Sequence, residues 1–64
     1  MLEVQITPTK PEYAKYAFEL RFICKRICFA NDNIEFFTVW GEEGWDRSIP
    51  TTNGYFNIEI TEVN

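Results

Sequence analysis

The sequence predicts an all-β fold, a small antiparallel sheet of four to five strands folded on itself as a mini-sandwich or a partly open barrel. Three observations carry this reading. The longest patterned stretch, from Lys15 to Ala30, sorts its rings from its charges with a period of two. Shorter stretches at both ends alternate in the same way. Turn residues recur between the runs at the spacing expected of short antiparallel strands.

Two periods compete over the long stretch. As a helix, Thr9-x-x-Glu12 is a capping box with Pro11 in the first turn, and Asn31 is a stop signal. At about 100° per residue, however, Phe18, Phe22 and Phe29 fall on the same side as Lys15, Glu19 and Arg26. As a strand, Tyr16, Phe18, Leu20, Phe22 and Cys24 share one face, and Glu19, Arg21 and Lys25 lie on the other. Lys25-Arg26 then breaks the alternation, and a one-residue bulge there restores Ile27 and Phe29 to the buried side. The strand is the expectation. The alternative is an α+β fold, β-α-β-β, with residues 10–30 helical.

Taken in order, Leu2, Val4 and Ile6 alternate with Glu3, Gln5 and Thr7 as a half-buried strand, which Pro8 and Pro11 stop because proline cannot donate to a ladder. Asn31-Asp32-Asn33 is a turn signal that closes a hairpin from Cys28-Phe29 onto a strand from Ile34 to Trp40. Aromatic and β-branched residues dominate that run, which marks it as central. Gly41-Glu42-Glu43-Gly44 is an acidic turn. Trp45 to Ile49 is a short strand that Pro50 ends. Thr51-Thr52-Asn53-Gly54 is a second turn, and Asn-Gly is a strong hairpin signal. Phe56, Ile58 and Ile60 alternate with Asn57, Glu59 and Thr61 in the closing strand.

Residues 1–64 are expected to form a single domain. A chain of 64 residues buries only about 60% of its unfolded surface, so its core is marginal without a staple or a partner. Two cysteines and no histidine offer neither a disulfide framework nor a zinc site, so no metal or cofactor is expected. Two Trp, three Tyr and six Phe exceed what one small core needs, and the surplus points to an interface. A net charge of −4 argues against general nucleic-acid binding. The start MLEVQ lacks a basic and an apolar region, so no secretory signal is expected, and no apolar run is long enough to span a membrane. A cytoplasmic location with reduced thiols follows as the expectation.

No constellation for catalysis survives inspection, and the chain is expected not to be an enzyme. Ser48 has no histidine to activate it. Glu42, Glu43 and Asp46 share one loop but lack the alternating ligands of a calcium loop. Cys24 and Cys28 read as small apolar side chains. Lys15, Arg21 and Lys25, interrupted by Glu19, read as a solvated face with cross-strand ion pairs. The binding candidates are Trp40, Glu42, Glu43, Trp45, Asp46, Arg47 and Tyr55, in which aromatics flank an acidic turn and a cation.

The expected function is therefore a non-enzymatic protein–protein binding module, an inhibitor or adaptor acting as a homo-oligomer through unpaired sheet edges. In size, charge and composition the chain resembles the small acidic single-domain proteins with which phages and mobile elements inhibit host enzymes. The alternative is a protein that binds or sequesters a small ligand, a nucleotide or sugar, at Trp40, Trp45 and Tyr55 with Arg47 or Arg21 as the charged contact.

Overall fold

The computed structural model describes residues 1–38 and 46–63. Five strands, β1 (Leu2–Pro8), β2 (Arg21–Phe29), β3 (Asn33–Thr38), β4 (Arg47–Pro50) and β5 (Phe56–Glu62), form one open antiparallel sheet in the order β4-β3-β2-β1-β5. The all-β expectation holds. Residues 10–30 are not an α-helix: a 3-10 helix covers only Pro11–Tyr16, and β2 begins at Arg21. Pro11 does open that helix, but Thr9 does not cap it. The Thr9 hydroxyl instead donates to the carbonyls of Gly54 and Tyr55, at 2.8 and 3.1 Å.

The central strand is shorter at its start than the alternation from Tyr16 predicts, and β1 supplies the reason. The Ile6 N–H donates to Leu20 O at 2.7 Å, so even-numbered residues of β1 turn their peptide groups toward β2. One more step would set Phe18 against Pro8 at a position needing a proline N–H, which does not exist. Phe18 is accordingly 85% exposed, and Tyr16 and Leu20 lie at the surface too, rather than in the core where the pattern put them.

The bulge is where the sequence places it. The β2–β3 register shifts between Cys24, opposite Thr38, and Arg26, opposite Phe37. Lys25 is the extra residue, and beyond it Ile27 faces the core opposite Phe36. Phe29 takes the same parity, opposite Ile34, but remains 71% exposed, which corrects the expectation that it is buried. The bulge also puts Cys24 and Cys28 on opposite sides: both are free thiols, one buried and one exposed. Burial pushes the Cys24 thiol above its ordinary pKa.

The hairpin at Asn31-Asp32 joins β2 to β3 as expected, closed by Ala30 N–H to Asn33 O at 2.9 Å. Asn53-Gly54 is a turn but not a hairpin, because β4 and β5 lie at opposite edges of the sheet. Gly54 does use the left-handed region, at φ 68°. A flat sheet would separate the two edges by about 19 Å, nearly the full reach of the five residues 51–55. The sheet therefore curls, and its inner face encloses the core. Val4, Ile6, Phe22, Cys24, Ile34, Phe36 and Ile49 are buried there, with Leu2, Ile27, Phe56 and Ile58 packed against them. Phe22 meets Phe36 edge to face at 5.1 Å.

On the outer face the expected ion pair forms. Arg21 donates to Glu3 Oε2 from Nη2 at 2.8 Å and from Nε at 3.1 Å. Arg26 lies over the Phe37 ring at 4.1 Å.

Candidate functional site

The two sheet edges differ in what they offer. At the β1–β5 side, Thr9 N–H donates to Tyr55 O at 2.8 Å and Val63 N–H donates to Met1 O at 2.9 Å. With the register between them, these bonds fix which way each residue of β5 turns. Asn57, Glu59 and Thr61 direct their peptide groups at β1. Phe56, Ile58, Ile60 and Glu62 direct theirs outward, away from the sheet.

The opposite edge is blunted. Thr51 N–H donates to Asp32 O at 2.9 Å, and Ile49 stands opposite Ile34, so Arg47, Ile49 and Thr51 turn toward β3. Only Ser48 and Pro50 of β4 turn outward, and Pro50 has no N–H to give. Proline on the open side of a short edge strand is one of the devices that prevent strand addition. β5, seven residues long, has no proline and pairs with no second strand among the described residues.

Beside β4 lies a cleft of about 460 Å³ lined by Phe18, Glu19, Phe22, Asp46, Arg47, Ser48 and Ile49. Arg47 is its centre. Its guanidinium sits 5.1 Å from the Phe18 ring and 4.7 Å from the Phe22 ring, a cation held against two aromatic faces. Nη1 is 2.7 Å from Glu19 Oε1, yet it forms no aligned hydrogen bond. The contact is an ion pair of poor direction between the largely buried guanidinium and the exposed Glu19.

Asp46, immediately before β4, is engaged by Thr38 at the end of β3. Thr38 N–H donates to Asp46 Oδ1 at 2.9 Å, and the Thr38 hydroxyl donates to Oδ2. The hydroxyl bond, then the amide bond, hold the Asp46 carboxyl below the usual carboxylate range. Asp46 N–H also donates to Phe36 O at 3.1 Å. The carboxylate thus ties the two strands together where residues 39–45 leave and return.

Tyr55 belongs elsewhere. Its ring stacks on Tyr16 at 4.8 Å and 14° and lies 4.4 Å from Tyr13, while Lys10 and Lys15 reach over Tyr13 and Tyr16 at 5.8 and 5.3 Å. Of the residues singled out from the sequence, then, Asp46 and Arg47 line one cleft, and Tyr55 is not among its lining residues. Trp40, Glu42, Glu43 and Trp45 lie outside the described residues. Sequence reasoning passed over Phe18, Glu19 and Phe22 as companions of Arg47. It also passed over Tyr13 and Tyr16, whose three-residue spacing behind Pro11 was the available signal, since such pairs eclipse on a 3-10 turn.

No group of three or more His, Cys, Asp or Glu among the described residues is placed to hold a metal ion, and no helix among them is long and apolar enough to cross a membrane. Compared with known protein families, curated proteins and solved structures, the chain matches none.

Proposed function

We propose that the chain is a non-enzymatic protein-binding module, an inhibitor or adaptor of the kind mobile elements use, acting as a homo-oligomer through the free edge of β5. The observation that carries this reading is the contrast between the edges: β4 is four residues long and ends on an outward-facing proline, while β5 is seven residues long and, among the described residues, unpaired on its outer side. An unpaired row of peptide donors and acceptors is a template for another strand. The inner side chains of this edge support the reading, because Phe56 and Ile58 are only half-buried and Ile60 is 37% exposed. They extend the core to a border that a further strand would cover. Free thiols at Cys24 and Cys28 suit a reducing compartment such as the cytoplasm.

Native mass spectrometry at low micromolar concentration tests it, with a dimer or larger species expected. Ile60→Pro is the informative variant. Residue 60 turns its N–H outward, so proline there removes a donor from the open edge and none from the β1 ladder. The variant should keep its circular dichroism spectrum and become monomeric. A monomeric parent protein at that concentration would remove the oligomer from the reading.

The Arg47 cleft favours a second reading, a small-ligand binder, since about 460 Å³ lies within the ordinary range of ligand pockets. Glu19 and Asp46 leave the lining with excess negative charge around one arginine. A ligand there must displace Glu19 or bring a cationic group of its own. A small molecule that survives purification, and is lost on Arg47→Ala, would support this reading over the first.

A further inference from the structure

We infer that the occupant of the β5 edge is the same strand of a second copy, running antiparallel about a twofold axis at Ile58. This rests on the edge-pairing reading above and goes further by fixing the partner strand, its direction and its register.

The outward-turned residues Phe56, Ile58, Ile60 and Glu62 are the ones that can exchange hydrogen bonds with a new strand, so only registers pairing these with one another satisfy the backbone. Their side chains lie on the inner face, where Phe56 and Ile58 already pack against the core. With Ile58 opposite its own copy, Phe56 meets Ile60 on both sides of the axis. The inner face of the seam is then apolar throughout, and the two cores join into one. On the outer face, Asn57 meets Glu59, a neutral side chain opposite each carboxylate.

The neighbouring registers are worse. Ile58 opposite Ile60 sets Glu59 against Glu59 in a close pair and Glu62 against Phe56, although it adds hydrogen bonds at the strand ends. Like charges directly opposite are unfavourable, and a carboxylate beside a core ring loses water without a partner. Ile60 opposite itself sets Glu62 against Ile58. Phe56 opposite Ile58 leaves Ile60 beyond the partner's strand. Only the Ile58-centred register gives Phe56, Ile58 and Ile60 all an apolar partner while separating the acidic residues. A twofold seam of this kind closes on itself and consumes both open edges, which stops further growth, because the β4 edge is blunted.

Disulfide trapping tests the register directly. In a Cys28→Ser background, with Cys24 buried and unreactive, Ile58→Cys, Glu59→Cys and Ile60→Cys are each prepared and exposed to oxidised glutathione. Residues directly opposite in an antiparallel pair lie about 4.5–5.5 Å apart between Cα atoms, within disulfide reach. The assigned register gives a covalent dimer for Ile58→Cys and none for the other two. Because Ile58 touches the core, a second arm uses exposed positions: an equimolar mixture of Asn57→Cys and Glu59→Cys chains should form the mixed disulfide in preference to either homodimer. Trapping at Glu59 or Ile60 instead overturns the register while leaving edge pairing intact. No trapping in any variant, with a monomeric parent in native mass spectrometry, overturns both.

Discussion

Thr38 is buried to 1% exposure and spends its hydroxyl and its amide on one carboxylate, that of the exposed Asp46. The pairing makes the tie between the ends of β3 and β4 sensitive to acid. A carboxyl held below its ordinary pKa in the folded chain stabilises the fold fully above the unfolded pKa, about 3.9, and that contribution is lost as pH falls through the lower folded value. The melting temperature of the parent protein should therefore fall below about pH 4. Asp46→Asn should melt lower at pH 7 and show a shallower acid limb, and Thr38→Val should do the same by removing the hydroxyl donor. Parallel melting profiles for parent and variants between neutral and acid pH would mean that the carboxylate contributes nothing to holding β3 and β4 together. Phe36 poses a simpler case. It is fully buried on the inner face of β3 against Phe22, and truncation of such a ring to Ala costs about 3–5 kcal/mol. A core this small supplies about that much in total. Phe36→Ala should have no cooperative urea transition at 25 °C. Asp46 and Arg47 were visible in the sequence as polar residues near a turn, but their partners were not. Thr38 and Phe18 are separated from them by eight and by 29 positions, and only the register of the sheet brings them together.

At the level of elements, the period of two was enough to locate β1, β5 and most of β2, the aromatic and β-branched run after Asn31-Asp32-Asn33 was enough to locate β3, and the run Lys25-Arg26 was enough to locate the bulge. Two boundaries escaped it for the same reason: pairing depends on the partner strand as well as on the strand itself. β2 starts late because Pro8 cannot bond to Phe18, a fact that belongs to β1. Asn53-Gly54 fails to form a hairpin because β5 has a better partner in β1, with seven residue pairs in register. The bulge gives a sharp prediction. Deleting Lys25 sets Arg26 directly after Cys24 and leaves Arg26 opposite Phe37 and Ile27 opposite Phe36, so the ladder becomes regular with every face preserved. The variant should fold and retain the Ile27–Phe36 cross-strand contact in nuclear Overhauser spectra. It should be destabilised by about 1–2 kcal/mol through loss of the local bend that helps the sheet curl. Deleting Lys25 and Arg26 together turns Ile27 and Phe29 to the outer face, and that variant should not fold.

Across the whole molecule, composition foretold a deficit more clearly than it foretold a site. Eleven aromatics on 64 residues with no staple implied surface left over for a partner, and the sheet leaves Phe18, Phe29 and Ile60 at least partly uncovered. Which edge is open was not legible, because that depends on strand order, and strand order follows from a chain reversal that local pattern does not encode. The charge balance makes the last prediction. Each copy carries −4, and the open strand contributes Glu59 and Glu62 without a basic residue of its own. Bringing two such copies together sets like charges near one another even in the favoured register. Screening shortens from about 10 Å at 0.1 M salt to about 3 Å at 1 M. The apolar part of the seam does not weaken with salt, while the repulsion does. The dissociation constant of the proposed dimer should therefore fall as sodium chloride rises from about 50 to 500 mM, by a few-fold, and Glu59→Gln should bind more tightly at low salt with a flatter dependence. Sedimentation equilibrium at the two salt concentrations measures both. A dissociation constant that rises with salt would mean that opposite charges hold the copies together, and that surface would have to lie elsewhere, since β5 carries no positive charge.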